Sequence, residues 1–502
     1  MMIIEKKINL RFVLTLIIVM VNGLLSIVNA QRSVRLDLDR TIKLATDSSY
    51  AVKKYQSVYD ASLFNFLSWQ ASRKVQVSLE AIPLEYERTM TRRYNSLEDV
   101  DVYREQQMFY AQAGIQATQP IEAWGGSFYG STQLGYLRNF GAYNNTQFMT
   151  VPISIGYRQD LLGFNALKWN KKIEPLKLAL AEKTLVYNTE NASLEAVSKF
   201  FALALAQDLL QMSEEYLASC DTIYSIAERR YRIASISKAE LSILELQKTN
   251  ARNTLANARI THKRAMQELA SYLGMEQSTN IELIIPSALA NIQISADDAI
   301  SYARENNPLY LSAQQQTLEA KREAERARVE KNLSVSIDAS VGLNQVADNF
   351  ADAYRRPYSQ DMATVRLSIP LKDWGKRKNA YQAAKSMVEA AEQSALETAR
   401  ITELDVLTSV SEFNERQAIV ETSRQALTIA EDAYTATLQR FIRAQANVND
   451  LSLAQTHWQT ARQNQIASLQ NYWVAYYHLR SITLFDYQKH EVIHHAPNQT
   501  GQ

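Results

Sequence analysis

Glycine and proline are scarce in this chain, 13 and 9 among 502 residues, against a usual roughly 7% and 5%. So little turn chemistry excludes the several compact, loop-rich domains that length alone would suggest, about three or four. One cysteine, Cys220, excludes an internal disulfide whatever the redox state of the compartment. Neither sign of charge dominates. The 54 Lys and Arg nearly cancel 53 Asp and Glu and are interspersed with them, so no basic block or aromatic-studded basic stripe marks a nucleic-acid binder. Beyond residue 30, no apolar run reaches the ~20 residues a membrane-spanning helix needs.

What fills the chain instead is Ala, Leu, Gln, Glu, Arg and Lys in long uninterrupted runs, the composition of long helices. Residues 1–30 differ. Lys6, Lys7 and Arg11 precede an apolar stretch from Phe12 to Val28, and Val28 and Ala30 are the small residues expected before a cleavage point at Gln31. This reads as a secretory signal peptide, with a membrane anchor as the bland alternative. Cys220 stands far from that point, so a lipid-anchored precursor is not indicated.

The chain is also duplicated. At one gapless offset of 210, residues 213–271 repeat as 423–481, with Ser213/Ser423, Tyr224/Tyr434, Arg230/Arg440, Leu241/Leu451, Arg252/Arg462 and Leu269/Leu479 among the identities. A looser match at offset 258 joins Val34–Ala45 to Ile292–Ala303. One unit therefore occurs twice: a first repeat at 31–274, a connector at 275–296, a second repeat at 297–484, and a polar tail at 485–502.

The second unit opens with a helix over 297–332. Strict alternation follows, with Leu333, Val335, Ile337, Ala339, Val341 and Leu343 apolar against Ser334, Ser336, Asp338, Ser340, Gly342 and Asn344. It resumes from Ala363 to Leu371 after a polar loop. These are two half-buried strands of about the length that crosses a bilayer when tilted, although a soluble hairpin on a core alternates in the same way. Beyond Trp374-Gly375 a helix runs to about Arg443, and a return helix spans 447–484. The first unit follows the same plan: helix 39–72, strands at 75–81 and 149–157, long helix 164–233 and return helix 237–274. It carries 48 extra residues (258 less 210). Two more alternating runs lie there, 109–118 and 127–139, joined by Trp124-Gly125-Gly126, and read as an added hairpin within about 91–140. The fold class is therefore mainly α with a membrane β-barrel part. Two strand hairpins from two repeats cannot close a membrane barrel, whose smallest forms have about eight strands. Open edges in lipid leave backbone groups without partners, so several subunits must complete the wall.

The chain resembles the TolC family of outer-membrane efflux and export proteins. The resemblance rests on the junction Ile369-Pro370-Leu371-Lys372-Asp373-Trp374-Gly375-Lys376-Arg377-Lys378-Asn379, its counterpart Gln159-Asp160-Leu161-Leu162-Gly163-Phe164-Asn165, and the two tips RRYRIASISKAELSILELQKTNAR and QRFIRAQANVNDLSLAQTHWQTAR. It implies a homotrimer in which each subunit lends four strands to a twelve-stranded barrel and its helices to a periplasmic tunnel. A periplasmic adaptor and an inner-membrane pump or ABC exporter would dock at the tip. The implied role is a passive exit duct in the bacterial outer membrane, embedded in lipid, without catalysis or cofactor. Alignment places Asp450 on a pore-ring acid, Glu240 on the acid of the first tip and Phe441 on the gate aromatic. Leu453 and Ala446 replace a second ring acid and a gate Arg, for which Arg443 is a nearby substitute. Arg230, Tyr231, Ala234, Ser237, Arg440 and Ala444 are candidates for adaptor docking. Ala234 and Ala444 stand at the family's tip Gly positions, so a different tip turn is expected, because Gly is the residue suited to positive φ. Asp450 has a plainer alternative role as an acid opening the return helix.

His490-Glu491-Val492-Ile493-His494 matches the zinc-protease pattern HExxH, but no domain that would enclose a site follows it. The sequence gives no metal or catalytic residue beyond that isolated match, with His495 beside it as an adventitious metal ligand. The rival function is an exported soluble coiled-coil scaffold or adaptor that lacks a barrel.

Overall fold

The computed structural model describes residues 33–494 apart from 96–98, 141–143, 235, 287–288, 290–291 and 444. Residues 1–30, read above as a signal peptide, lie outside the described residues, as do Ala444 and His495. Two compact units emerge, and neither coincides with a repeat. One comprises the described parts of Met1–Ser57, Lys183–Asn307 and Thr402–Gln502, the other Val58–Glu182 and Pro308–Ile401.

The first unit is helical. It holds β1 (Ser33–Leu36), α1 (Leu38–Ser48) and the start of α2 (Tyr50–Ser72). Most of α3 (Ala166–Arg232) lies in it, with α4 (Lys238–Tyr272), β6 (Asn280–Leu283) and α5 (Ala296–Asn306). Most of α7 (Lys376–Ile442) and all of α8 (Val448–Thr483) complete it, followed by a short hairpin of β9 (Phe485–Asp486) and β10 (Glu491–Val492). At 1.5 Å per residue, α3 and α7, each of 67 residues, measure roughly 100 Å. Their bounds fall within two residues of those expected. Aromatic side chains fill the core: Phe200, Phe201, Phe413, Tyr472 and Tyr476 are fully enclosed, each burial worth about 1.5–3 kcal/mol.

Three features depart from the sequence reading. The helices expected at 39–72 and 297–332 are each interrupted, at Ser49 and at Asn307-Pro308. Those positions correspond at the offset of 258, so the break is itself duplicated. At the second site Pro308 disfavours helix for the residue before it, and Asn307 Nδ2 instead donates to the Ile482 carbonyl at 2.8 Å. In the connector, β6 pairs in parallel with β1, which the sequence did not reveal. Lastly, the start of the polar tail is core: Phe485 stacks on Tyr302 with ring centroids 3.9 Å apart.

The second unit is built on a sheet of six strands in the order β2-β3-β4-β5-β7-β8. They are β2 (Gln76–Asn95), β3 (Val100–Pro120), β4 (Ser127–Phe140), β5 (Asn145–Asp160), β7 (Ser334–Ala347) and β8 (Tyr358–Ser368), every neighbouring pair antiparallel. The rest of α2, α6 (Pro308–Glu330) and the first turns of α3 and α7 belong to this unit. The described residues thus present six strands in one sheet, where the resemblance implied four. The difference is two added strands, which continuous ladders from β2 through β3 and β4 to β5 join to the rest of the sheet. β2 and β3 also run well past 75–81 and 109–118, because the charged stretch between them hid their alternation. β8 ends at Ser368, before the expected Leu371, since Pro370 has no N–H to give a ladder.

Candidate functional site

The two helical tips meet in the first unit. Ile223, Ala227 and Leu244 from the first repeat and Phe441 and Leu451 from the second form one buried cluster. The gate candidate Phe441 is therefore a core residue of the tip, 5% exposed, with the Arg230 guanidinium 5.7 Å from its ring centroid. Arg230 also donates to the Ile442 carbonyl at 3.4 Å, which links the two hairpins. Arg440 turns back onto its own loop and donates to the Gln445 carbonyl at 3.4 Å. Arg443 is exposed, as are Tyr231 and Leu453. Ala446 is half-buried against the tip cluster.

Both return helices open with the same device. Ser237 Oγ accepts from the Glu240 N–H at 3.2 Å, while Ser237 N–H donates back to Glu240 Oε2 at 2.8 Å. In the second copy Asn447 Oδ1 accepts from the Asp450 N–H at 2.8 Å, and Asp450 Oδ2 accepts from the Asn447 N–H at 3.3 Å. These reciprocal bonds satisfy donors that a helix start leaves orphaned. The backbone N–H of Ser237, and then its hydroxyl, hold the Glu240 carboxyl below its ordinary value. Both acids stay exposed at the surface, so capping does not remove their charge from water.

At the first tip, Ala234 takes a left-handed backbone, φ 55°, a conformation glycine adopts freely, and its N–H reaches the Tyr231 carbonyl at 2.9 Å. A residue with a Cβ is strained in that conformation.

The strand-to-helix junctions show why their residues are special. Trp374 and Gly375 are both left-handed, φ 55° and 86°, and Asp373 bridges the turn by accepting from the N–H groups of Gly375 and Arg377. Trp374 is 85% exposed with the Lys372 ammonium 3.9 Å from its ring centroid, an arrangement suited to a membrane–water boundary. Pro370 is half-buried just beyond β8. In the first copy a Cβ on Gly163 would stand 2.4 Å from Asp160 Cβ, so only glycine fits.

The sheet separates polarity by face. Directly opposed residues share a face, and the register row Ser78, Gln116, Ser131, Ser154, Gly342, Gln360 crosses all six strands with small or polar side chains. The adjacent row on the other face reads Val77, Ala117, Gly130, Ile155 and Val341 until Asp361 on β8. Apolar side chains of that face stand open, Leu79 at 72% and Val365 at 67%. On the polar face Asp338 accepts from Tyr129 Oη at 2.6 Å and from Arg158 Nε at 2.7 Å, a cluster that the alternation around Arg158 could have disclosed.

The HExxH run is not helical. Glu491 and Val492 pair with Asp486 and Phe485, so the one-turn spacing of two histidines on a helix is absent. Among the described residues no group of three or more His, Cys, Asp or Glu is placed to hold a metal.

Residues 299–483 match the model of the outer membrane efflux protein family. This region is similar to an outer membrane efflux protein domain. The match spans the second repeat and bears out the resemblance drawn from the junction and the tips. The fold extends the likeness over nearly the whole chain. The CmeC outer membrane channel of Campylobacter jejuni superposes with a TM-score of 0.66 at 12% identity, covering 90% of this chain and 88% of that one. A membrane protein from Pseudomonas aeruginosa superposes at 0.64 and 13% identity, covering 89% and 90%. In sequence the chain is similar to Protein CyaE of Bordetella pertussis, 26% identical over 276 residues, 54% of this chain. That similarity spans 57% of the length of CyaE.

Proposed function

We propose that this protein is the outer-membrane channel component of a tripartite efflux pump or a type I secretion system. It is a passive exit duct from periplasm to exterior. The observation that carries the reading is the six-stranded sheet, with one largely apolar face, one polar face and, among the described residues, an unpaired strand at each edge. Water does not favour so much open apolar surface, whereas lipid does, and lipid in turn forbids the open edges. A homotrimer satisfies both demands: three copies close one barrel around a polar lumen, and their helices close a periplasmic tunnel.

In this reading the chain acts with two partners, a periplasmic adaptor and an inner-membrane pump or ABC exporter. The exposed tip residues Tyr231, Ser237 and Arg440 offer the docking surface, with Ala234 shaping the turn. Three copies of Asp450, joined by Glu240, ring the tunnel mouth with negative charge that draws cations and slows anions. Arg443 lies beside that ring as a latch.

Fractionation tests the reading. The expected protein requires detergent for extraction from outer membranes and migrates as a heat-modifiable trimer. Release by salt as a monomer would favour the soluble scaffold instead.

A further inference from the structure

We infer that all six strands are barrel wall and that β8 of one copy pairs with β2 of the next, so that three copies close an eighteen-stranded barrel. The inference rests on the trimeric duct reading and specifies its interface. Four observations carry it.

The extra strands are continuous with the sheet, and a wall of four would keep β4, β5, β7 and β8 and set β2 and β3 aside. β3 pairs with β4 along the whole length of β4, from Pro120↔Ser127 to Gln107↔Phe140. A four-stranded contribution would have to peel that ladder apart and bare a new edge in lipid.

The added strands carry their own lipid-facing segments. On β3, Phe109, Ala111, Ala113, Ile115 and Ala117 share the apolar face, while Tyr110, Gln112, Gly114 and Gln116 turn to the polar one. This is the period and length of a spanning strand. The apolar face ends abruptly. Beyond Tyr86 and Phe109 the same two strands bear the ion pairs Arg88–Glu105 and Arg92–Asp101, which suit water past the bilayer.

Aromatic belts run across added and shared strands alike. Phe109, Tyr136 and Phe148, from β3, β4 and β5, touch in sequence at centroid distances of 5.9 and 5.3 Å. Phe128 and Tyr157 pair at 4.8 Å toward the other end of the same face. Such girdles mark the two membrane–water boundaries of barrels, and a hairpin outside the membrane has no use for them.

Closure is consistent in direction. Every neighbouring pair is antiparallel, and an even number of strands leaves the two edges, β2 and β8, running oppositely. β8 therefore meets a neighbouring β2 as one more antiparallel pair. Barrel diameter grows roughly linearly with strand number, so this wall encloses about 1.5 times the width of a twelve-stranded one.

Cross-linking decides between the two walls. In a Cys220→Ser background, paired cysteines are placed on the apolar faces of the edges, one from Val77, Leu79 and Ala81 and one from Ala363, Val365 and Leu367. A control set pairs Thr132 or Leu134 of β4 with the same β8 positions. With a short thiol-specific bifunctional reagent on outer membranes, β2–β8 pairs are expected to give covalent dimers and trimers, and β4–β8 pairs none. Heat-modifiable trimers that cross-link only through β4–β8, or through neither set, would overturn the inference and leave the duct standing. Absence of any trimer, in wild type as well, would sink both. A second readout is independent of cross-linking yield. A bimane on Ala113→Cys is expected to be quenched by brominated lipid chains and one on Gln112→Cys is not; equal, weak quenching at both would place β3 outside the wall.

Discussion

Arg480 holds Glu190 through both carboxylate oxygens, at 3.0 and 3.2 Å. Its third nitrogen reaches Asp486 at 3.0 Å, so one guanidinium ties α3, α8 and the C-terminal hairpin together. Glu190 is 2% exposed and Asp486 6% in their side chains. Breaking a buried pair leaves an uncompensated charge and costs about 3–5 kcal/mol. Arg480→Met is therefore expected to lower the unfolding midpoint of the purified protein sharply, read by circular dichroism in detergent. A loss under about 1 kcal/mol would show that the network contributes little.

The same network sets an acid limit. Burial pushes the Asp486 carboxyl up, but the Arg480 charge, the N–H groups of Gln488 and Lys489 and the Tyr476 hydroxyl outweigh it and hold it below its ordinary value. A lowered folded value means the stabilisation is complete above the unfolded carboxylate range, about pH 4. It is lost as pH falls through the lower folded value. Stability measured below about pH 4 should fall more steeply in wild type than in Asp486→Asn; parallel curves would contradict this.

At the tip, Ala234 occupies a left-handed turn at φ 55°. Glycine adopts that conformation without Cβ strain, so Ala234→Gly is expected to stabilise the tip by about 1 kcal/mol. Hydrogen exchange of the tip amides would then slow by about fivefold. Unchanged or faster exchange would show that the turn bears no strain.

Asp450 has two roles that different substitutions separate. Asp450→Asn removes the charge but keeps an oxygen for the Asn447 N–H, whereas Asp450→Ala removes both. A charged ring predicts reduced cation preference in planar bilayers for both variants. If Asp450 only caps the helix, worth about 1 kcal/mol, the Asn variant should conduct as wild type does.

The two faces of β3 make a matched pair. Ile115→Lys puts a charge where lipid is expected, at about 2–4 kcal/mol near the midplane, and should reduce assembled trimer. Gln116→Lys, on the polar face, should assemble normally. Equal tolerance of both would deny that β3 faces lipid.

What was legible in the sequence follows from the range of the forces involved. The long helices were placed within two residues because propensity and capping are local: Ser237 with Glu240, and Asn447 with Asp450, are readable as helix starts. Alternation located all six strands but shortened β2 and β3, whose outer halves carry charge on both faces. Pro308 carries a local sign of the second helix break, which the expectation of one helix over 297–332 passed over, whereas Ser49 gives no such sign. The burial of Phe441, the β1–β6 pairing and the position of the added hairpin depend on contacts between segments far apart in the chain, and no local pattern encodes them. At Ala234 the fold imposed a backbone conformation against residue preference.

Single-channel recording in planar bilayers tests the central claim most directly. Purified detergent-extracted protein, added to one side, is expected to insert in discrete steps of stable ionic current, with one unit step per heat-modifiable trimer. A protein that runs as a monomer without detergent and gives no current at any added concentration would contradict the account.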